Sequence, residues 1–163
     1  MTSYSESRQQ EDHVVLLDDV PHPAADAAEP FIVTSDRRVI LAYPIAEADF
    51  DRFGPFDPDD DPFCAVLFPD TVFHRLGPPG ESDLDIHPLA ESGLSAYSVH
   101  EVVNSSLAAE ISALAHVAAT VAQRHFVITF DGATFECVAS DYTVVGVYGA
   151  GEIAIREAFS LVR

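Results

Sequence analysis

HFVITFDGATFECVAS (125–140) alternates apolar and polar side chains on both sides of an Asp-Gly pair, the pattern of a β-hairpin. Asp131-Gly132 suits a two-residue type I′ turn, because both central residues of that turn need φ > 0 and these residue types tolerate it. Pairing across it sets Phe130 opposite Ala133, Ile128 opposite Phe135 and Phe126 opposite Cys137. The large apolar side chains then share one face, and His125, Thr129, Thr134, Glu136 and Ser140 share the other. A one-residue slip would exchange the faces, so turn and burial specify one register.

Downstream, YTVVGVY (142–148) is expected as a third strand extending this meander, and EIAIREAFSLVR (152–163) fits strand or helix equally well. Upstream the period changes. Ser98 and Glu101 have capping-box spacing, worth about 1 kcal/mol to a helix start. Leu107, Ile111, Leu114, Ala118 and Val121 repeat at helical spacing. A helix over about 99–124 follows, with Asn104-Ser105-Ser106 a weak point near its start and His116 on its solvent-facing side.

In the first half, residues 1–12 are polar and aperiodic and are expected to be a disordered tail. Val14–Leu17 reads as an edge strand leading into a Pro- and Ala-rich covering arm. FIVTSDRRVILAYPI (31–45) reads as a hairpin turning at Ser35-Asp36, and residues 45–53 as one or two helical turns. FCAVLF (63–68) and TVFHRL (71–76) suggest a second hairpin across Pro69-Asp70. Prolines keep 55–62 and 77–88 irregular. The expected fold is a single α+β domain over 13–163, an antiparallel sheet of hairpins packed against one long helix (about 99–124).

Charge constrains partners. Twenty-seven Asp and Glu stand against eight Arg and no Lys, a net charge of −19 on 163 residues. Residues 1–91 hold twenty acids and five Arg, −15, and residues 92–163 seven acids and three Arg, −4. Direct nucleic-acid binding and docking on a membrane surface both draw affinity from basic residues, so neither is expected. Solubility, adaptation to high salt and recognition of a basic protein partner all accommodate the excess. The absence of Lys with Arg retained also fits a GC-rich coding bias. DNA mimicry needs acids in rigid phosphate-like order, which Pro-rich loops do not provide. The partner-binding candidates are Asp49, Asp51, Asp57, Asp59, Asp60 and Asp61.

No secretory start and no run of 18 apolar residues is present, which gives an expectation of a cytoplasmic protein. Cys64 and Cys137, in apolar runs, are expected as free buried thiols. An exposed edge strand would allow two copies to pair.

Motifs that carry chemistry are weak. Gly149-Ala150-Gly151-Glu152-Ile153-Ala154 matches G-x-G-x-x-A, but twelve residues after Gly151 cannot build the rest of a dinucleotide-binding unit. Asp57, Asp59 and Asp61 have the first spacings of an EF-hand, yet Pro62 and Phe68 stand where Gly and Glu are needed. His74, His87 and His100 are the metal-ligand candidates, though no H-x-x-x-H spacing joins any of them, and no cofactor is expected. Cys137 lies on the face opposite His125 and Glu136, which separates a thiol from its base.

The surviving catalytic candidates are His125 and Glu136 on the polar hairpin face, with His100 and Glu101. A solvated sheet face is the plainer account of the first two. Two functions fit these residues. One is a non-enzymatic acidic module docking a basic partner, of inhibitor, immunity or antitoxin type. The other is a small hydrolase or isomerase with a His/Glu or metal site between the sheet and the 77–100 loop.

Overall fold

The computed structural model describes residues 11–25, 28–115 and 121–162. Along the chain come β1 (His13–Leu16), β2 (Phe31–Thr34), β3 (Arg38–Pro44), α1 (Phe50–Phe53), β4 (Phe63–Pro69) and β5 (Phe73–Gly77). Then follow β6 (Val99–Val103), α2 (Ser106–Leu114), β7 (Arg124–Thr129), β8 (Thr134–Ala139), β9 (Thr143–Tyr148) and α3 (Gly151–Leu161). All pairings are antiparallel. They build a five-stranded sheet, β1-β6-β7-β8-β5, and a four-stranded sheet, β2-β3-β4-β9. The class is α+β as expected, but it holds two sheets and short helices rather than one sheet and a long helix.

The hairpin forms in the expected register, with Ile128 opposite Phe135 and Phe126 opposite Cys137. Its turn is not type I′, because neither Asp131 nor Gly132 has a positive φ. Outside contacts hold the turn instead: the Glu81 amide donates to the Asp131 carbonyl at 2.8 Å, and the Tyr97 hydroxyl to the Asp131 carboxylate at 3.0 Å. Gly80 permits this approach, since a β-carbon there would lie 2.3 Å from the Asp131 carbonyl oxygen.

Apolar residues of both sheets meet between them. Val39, Leu41 and Tyr43 of β3 and Cys64, Val66 and Phe68 of β4 face Phe126 and Ile128 of β7 and Phe135 and Cys137 of β8. The Phe68 ring lies 5.5 Å from Phe126 and 5.4 Å from Phe135, stitching the layers together. Each such ring contributes about 1.5–3 kcal/mol relative to an exposed one. Both cysteines are free and buried there, and burial pushes the Cys64 thiol up to about 12.

β3 and β4 are apolar on both faces because α3 covers the other side. Ala154 and Ala158, one turn apart, are fully buried against Ile40, Ala42, Phe63 and Ala65. Small side chains let this helix approach closely, and a β-carbon on Gly151 would come within 3.1 Å of the Phe63 ring. The ambiguous C-terminal segment is thus helical.

Three expectations fail for one reason, that each strand has only two edges. β8 gives its edges to β7 and β5, so β9 pairs with β4 instead of extending the meander. β4 in turn is filled by β3 and β9, so β5 crosses to the other sheet, and Pro69-Asp70 is a corner with Asp70 at φ 51 rather than a hairpin turn. The remaining edge of β7 is taken by 99–103, which therefore forms strand β6 and not helix. Ser98 caps nothing; its hydroxyl donates to the Ala96 carbonyl at 2.7 Å. The cap is Ser105, whose oxygen accepts the Ala108 amide at 2.9 Å and starts the nine-residue α2. His116 and Ala118 lie outside the described residues, as do residues 1–10 of the expected tail.

The Ser35-Asp36 hairpin and the helical turns at 47–53 form as expected.

Candidate functional site

The outer face of the five-stranded sheet is as polar as its alternation dictates, yet it is not solvated. His100, His125, Thr129, Thr134 and Glu136 are all buried, His125 to 2 % and Glu136 to 6 % exposure. Segment 77–98, which runs in short 3-10 turns, lies over them and adds Leu89 to an apolar patch with Val14, Val102 and Val127.

Buried polar atoms need partners, and most of these are spent on fastening the cover. Thr134 donates to the Pro79 carbonyl at 2.7 Å. Thr129 donates to the Ser95 carbonyl at 2.7 Å and accepts the Ser98 amide at 3.0 Å. His100 donates from Nδ1 to the Val127 carbonyl, so its Nε2 is the acceptor that receives the Ser95 amide at 3.2 Å. Both ring nitrogens are occupied, and burial lowers the pKa of this ring, keeping it neutral. These three residues are structural staples.

What remains is a row crossing the sheet, from Ser105 at the end of β6, through His125 on β7 and Glu136 on β8, to Arg75 on β5. Ser105 Oγ lies 2.8 Å from His125 Nδ1, and His125 Nε2 lies 3.9 Å from Glu136 Oε1. Arg75 approaches the other carboxylate oxygen at 3.8 Å. From the cover, His87 Nε2 comes within 2.8 Å of Glu136 Oε1. His87 Nδ1 accepts the Leu89 amide at 3.0 Å, so the ring proton sits on Nε2, facing the carboxylate. His125 Nε2, at 3.9 Å from the same oxygen, is not in a hydrogen bond. Two buried imidazoles therefore converge on one carboxylate oxygen, and only His87 is close enough to bond it.

Electrostatics follow from that arrangement. Burial raises the Glu136 pKa, but its neighbours His87, then His125 and Arg75, outweigh it, and the net shift is downward. For His125 burial is the largest influence and lowers the pKa, against the opposing pull of Glu136 and Asp12. The pair therefore rests as carboxylate and neutral imidazole, the protonation states of an orienting group and a general base.

Above Ser105 opens a cleft of about 740 Å³ bordered by Glu11, Asp12, Glu91, Ser92, Asn104 and Ser106. Asp12 holds the Ser106 amide at 2.7 Å and its hydroxyl at 2.9 Å.

Other candidates are dispersed. His100 and Glu101 do not act together, because neighbours on a strand face opposite ways, and Glu101 forms a two-pronged pair with Arg124 at 2.7 and 2.8 Å. His74 is exposed on edge strand β5, His87 faces Glu136, and His100 is stapled, so the three do not converge. Among the described residues no group of three His, Cys, Asp or Glu is arranged to hold a metal ion.

Of the acidic candidates, Asp49 accepts the His22 amide at 2.8 Å and secures the covering arm. Asp51, Asp57, Asp59, Asp60 and Asp61 are exposed. Their loop is rooted by buried Phe50 packed on Phe56 and braced by the Asp60 carboxylate on the Asp57 amide at 2.7 Å.

Ser105, Arg75 and the pairing of His87 with Glu136 escaped the sequence reading. Ser105 did carry a signal, a capping residue type just ahead of the apolar stripe at Leu107.

No family model, curated protein or solved structure matches this chain. No helix among the described residues is long and apolar enough to cross a membrane.

Proposed function

We propose that this chain is an acidic recognition module, of inhibitor, immunity or antitoxin type, that docks a basic protein partner. One observation carries the proposal: the acids at 51–61 are exposed, and among the described residues none of them is in an ion pair. Among the described residues, Asp and Glu ion pairs reach only Asp70, Glu101, Glu136 and Asp141. Burying such a loop against Arg and Lys would speed encounter and set register. Tagged protein incubated with lysate at low salt should retain a basic protein that is released as ionic strength rises. The variant with Asp57, Asp59, Asp60 and Asp61 all changed to Asn should fail to retain it. Absence of any retained basic protein at low salt removes the proposal.

A second proposal, a small hydrolase or isomerase working beneath the 77–98 cover, is favoured by the convergence of His87 and His125 on Glu136. General acid–base work needs a base and a group that orients it within a covered site. Glu136→Gln keeps the shape of the side chain and removes its charge. Under this proposal turnover falls by about 10²-fold or more while the circular dichroism spectrum is kept.

A further inference from the structure

We infer that Ser105 is a nucleophile, activated by His125 and supported by Glu136, for acyl substrates that carry a cationic group. The inference rests on the second proposal above and names the reacting atom and the substrate class.

Ser105 Oγ accepts the Ala108 amide at 2.9 Å and stands 2.8 Å from His125 Nδ1. With one lone pair taken by the amide, its own hydrogen is available to donate to Nδ1, which places the His125 proton on Nε2, toward Glu136. This is the nucleophile–base–orienter order, with the two ring nitrogens exchanged relative to the familiar serine hydrolase arrangement. The 3.9 Å from Nε2 to Glu136 is long for a hydrogen bond, and such contacts tighten when substrate fills the site. Position supports the same role. Ser105 follows Asn104, which is held at φ 57 between β6 and α2, so it stands in the wall of the cleft at a sharp strand-to-helix turn.

The step balances within these residues. Ser105 Oγ bonds to the acyl carbon while its proton passes to His125 Nδ1, and the imidazolium so formed is stabilised by the Glu136 carboxylate. The bond from acyl carbon to the leaving alcohol breaks, and the alcohol oxygen takes the proton from Nδ1. Water then repeats the sequence on the acyl-serine, releasing a carboxylic acid and restoring Ser105.

Substrate class follows from the rim. Glu11, Asp12 and Glu91 surround the cleft, which draws cations and repels anionic acids. Asp12 has a second effect, because its carboxylate occupies the Ser106 amide at the start of α2, where a developing oxyanion would otherwise be received. Removing every acceptor at position 12 should therefore free that amide for the oxyanion, while weakening the attraction for cations.

The test is covalent labelling of the full chain by a fluorophosphonate bearing a quaternary ammonium group, read by intact mass and peptide mapping. Wild type should take one label, on Ser105, faster than from an anionic fluorophosphonate of equal length, with the difference shrinking as salt is raised. Ser105→Asn keeps a capping oxygen and should take no label. Glu136→Gln should label about 10-fold to 100-fold more slowly, with the pH midpoint of labelling moved down, because its imidazolium has lost a carboxylate. A purely structural Glu136 would leave that midpoint in place. Asp12→Ala, which leaves the Ser106 amide without that acceptor, should label faster than wild type with the anionic fluorophosphonate, since the rim charge that repels this probe is lost as well.

Folded wild type that stays unlabelled at Ser105, or Glu136→Gln that labels with wild-type rate and midpoint, overturns the inference. Ester turnover that survives Ser105→Asn but is abolished by Glu136→Gln overturns the role of Ser105 and leaves the acid–base proposal standing. Turnover indifferent to both substitutions removes the two together.

Discussion

The two sheets share one apolar interior but clothe their outer faces in opposite ways. The four-stranded sheet is covered by α3, an alanine-lined helix whose backbone bonds are satisfied internally, so nothing polar is needed beneath it. The five-stranded sheet is covered by an irregular segment whose carbonyls and amides require partners, and Thr129, Thr134 and His100 supply them. The difference shows what a fastening network looks like when complete, and thereby isolates what it does not use. His125, His87 and Glu136 are as deeply placed or nearly so, Ser105 beside them is half-buried, and the Nε2 of His125 is unspent. Unaligned polar atoms in a buried setting cost stability, and function is a common reason for that cost to persist.

The contrast breaks most visibly at Glu136. Glu136→Ala would leave His87, His125 and Arg75 around a gap, with an expected loss of about 3 kcal/mol, whereas Glu136→Gln should lose clearly less. Urea unfolding of both variants measures this, and equal losses would mean that the charge alone, and not the filled volume, is what its neighbours answer. On the apolar face, Ala158→Leu should overpack α3 against Ile40 and Ala65 and cost about 2 kcal/mol. Because that face has no polar network, the loss should be the same at pH 5 and pH 7.5.

Acid sharpens the comparison further. His100 and His125 have folded pKa values lowered chiefly by burial, so the unfolded chain binds protons first as pH falls below the ordinary imidazole range. Glu136 is also lowered, net of burial, by His87, His125 and Arg75, so its contribution is present above the ordinary carboxylate pKa and is lost as pH falls toward its folded value. All three act in one direction. Stability should decline between about pH 7 and pH 5, a fall measured by thermal melts that His125→Gln should flatten. Asp12, near His125, and His22, near His100, modulate the two rings in opposite senses. The smallest effect is expected at the surface. Changing Asp57, Asp59, Asp60 and Asp61 together to Asn should alter stability by only about 0.5 kcal/mol, because none of them is in an ion pair among the described residues and an amide oxygen at position 60 can still accept the Asp57 amide. A larger destabilisation would show that the loop has a structural role instead of a presented one.

How much was legible beforehand depends on the range of the interaction. The β7–β8 register followed from alternation alone, as did the shared face of His125, Thr129, Thr134 and Glu136, because period and turn length are local properties. The helix over 99–124 was misread where two local signals conflicted with a distant one. Ser98 and Glu101 have cap spacing, but β7 had an edge to fill, and Val99, Val102 and Val103 are well suited to fill it. Pro69-Asp70 reads as a hairpin turn, and 142–148 as the next strand of the meander, because sequence shows where a chain bends and not which partner it meets. Ser105 carries a capping signal in sequence, but only the true start of α2 places it beside a histidine twenty residues away.

By itself, then, the sequence determined the faces of the strands, the burial of both cysteines and an acidic surface weighted toward the first ninety-one residues. All of these depend on composition and short-period pattern. Only the tertiary structure decided which strands share an edge, that the polar face is roofed by 77–98, and that Ser105, His125, Glu136 and His87 form one connected group. Those facts depend on contacts between residues far apart in the chain. Each is settled by competition for a limited number of strand edges and by the need of buried amides and carbonyls for partners, conditions that no single segment states on its own.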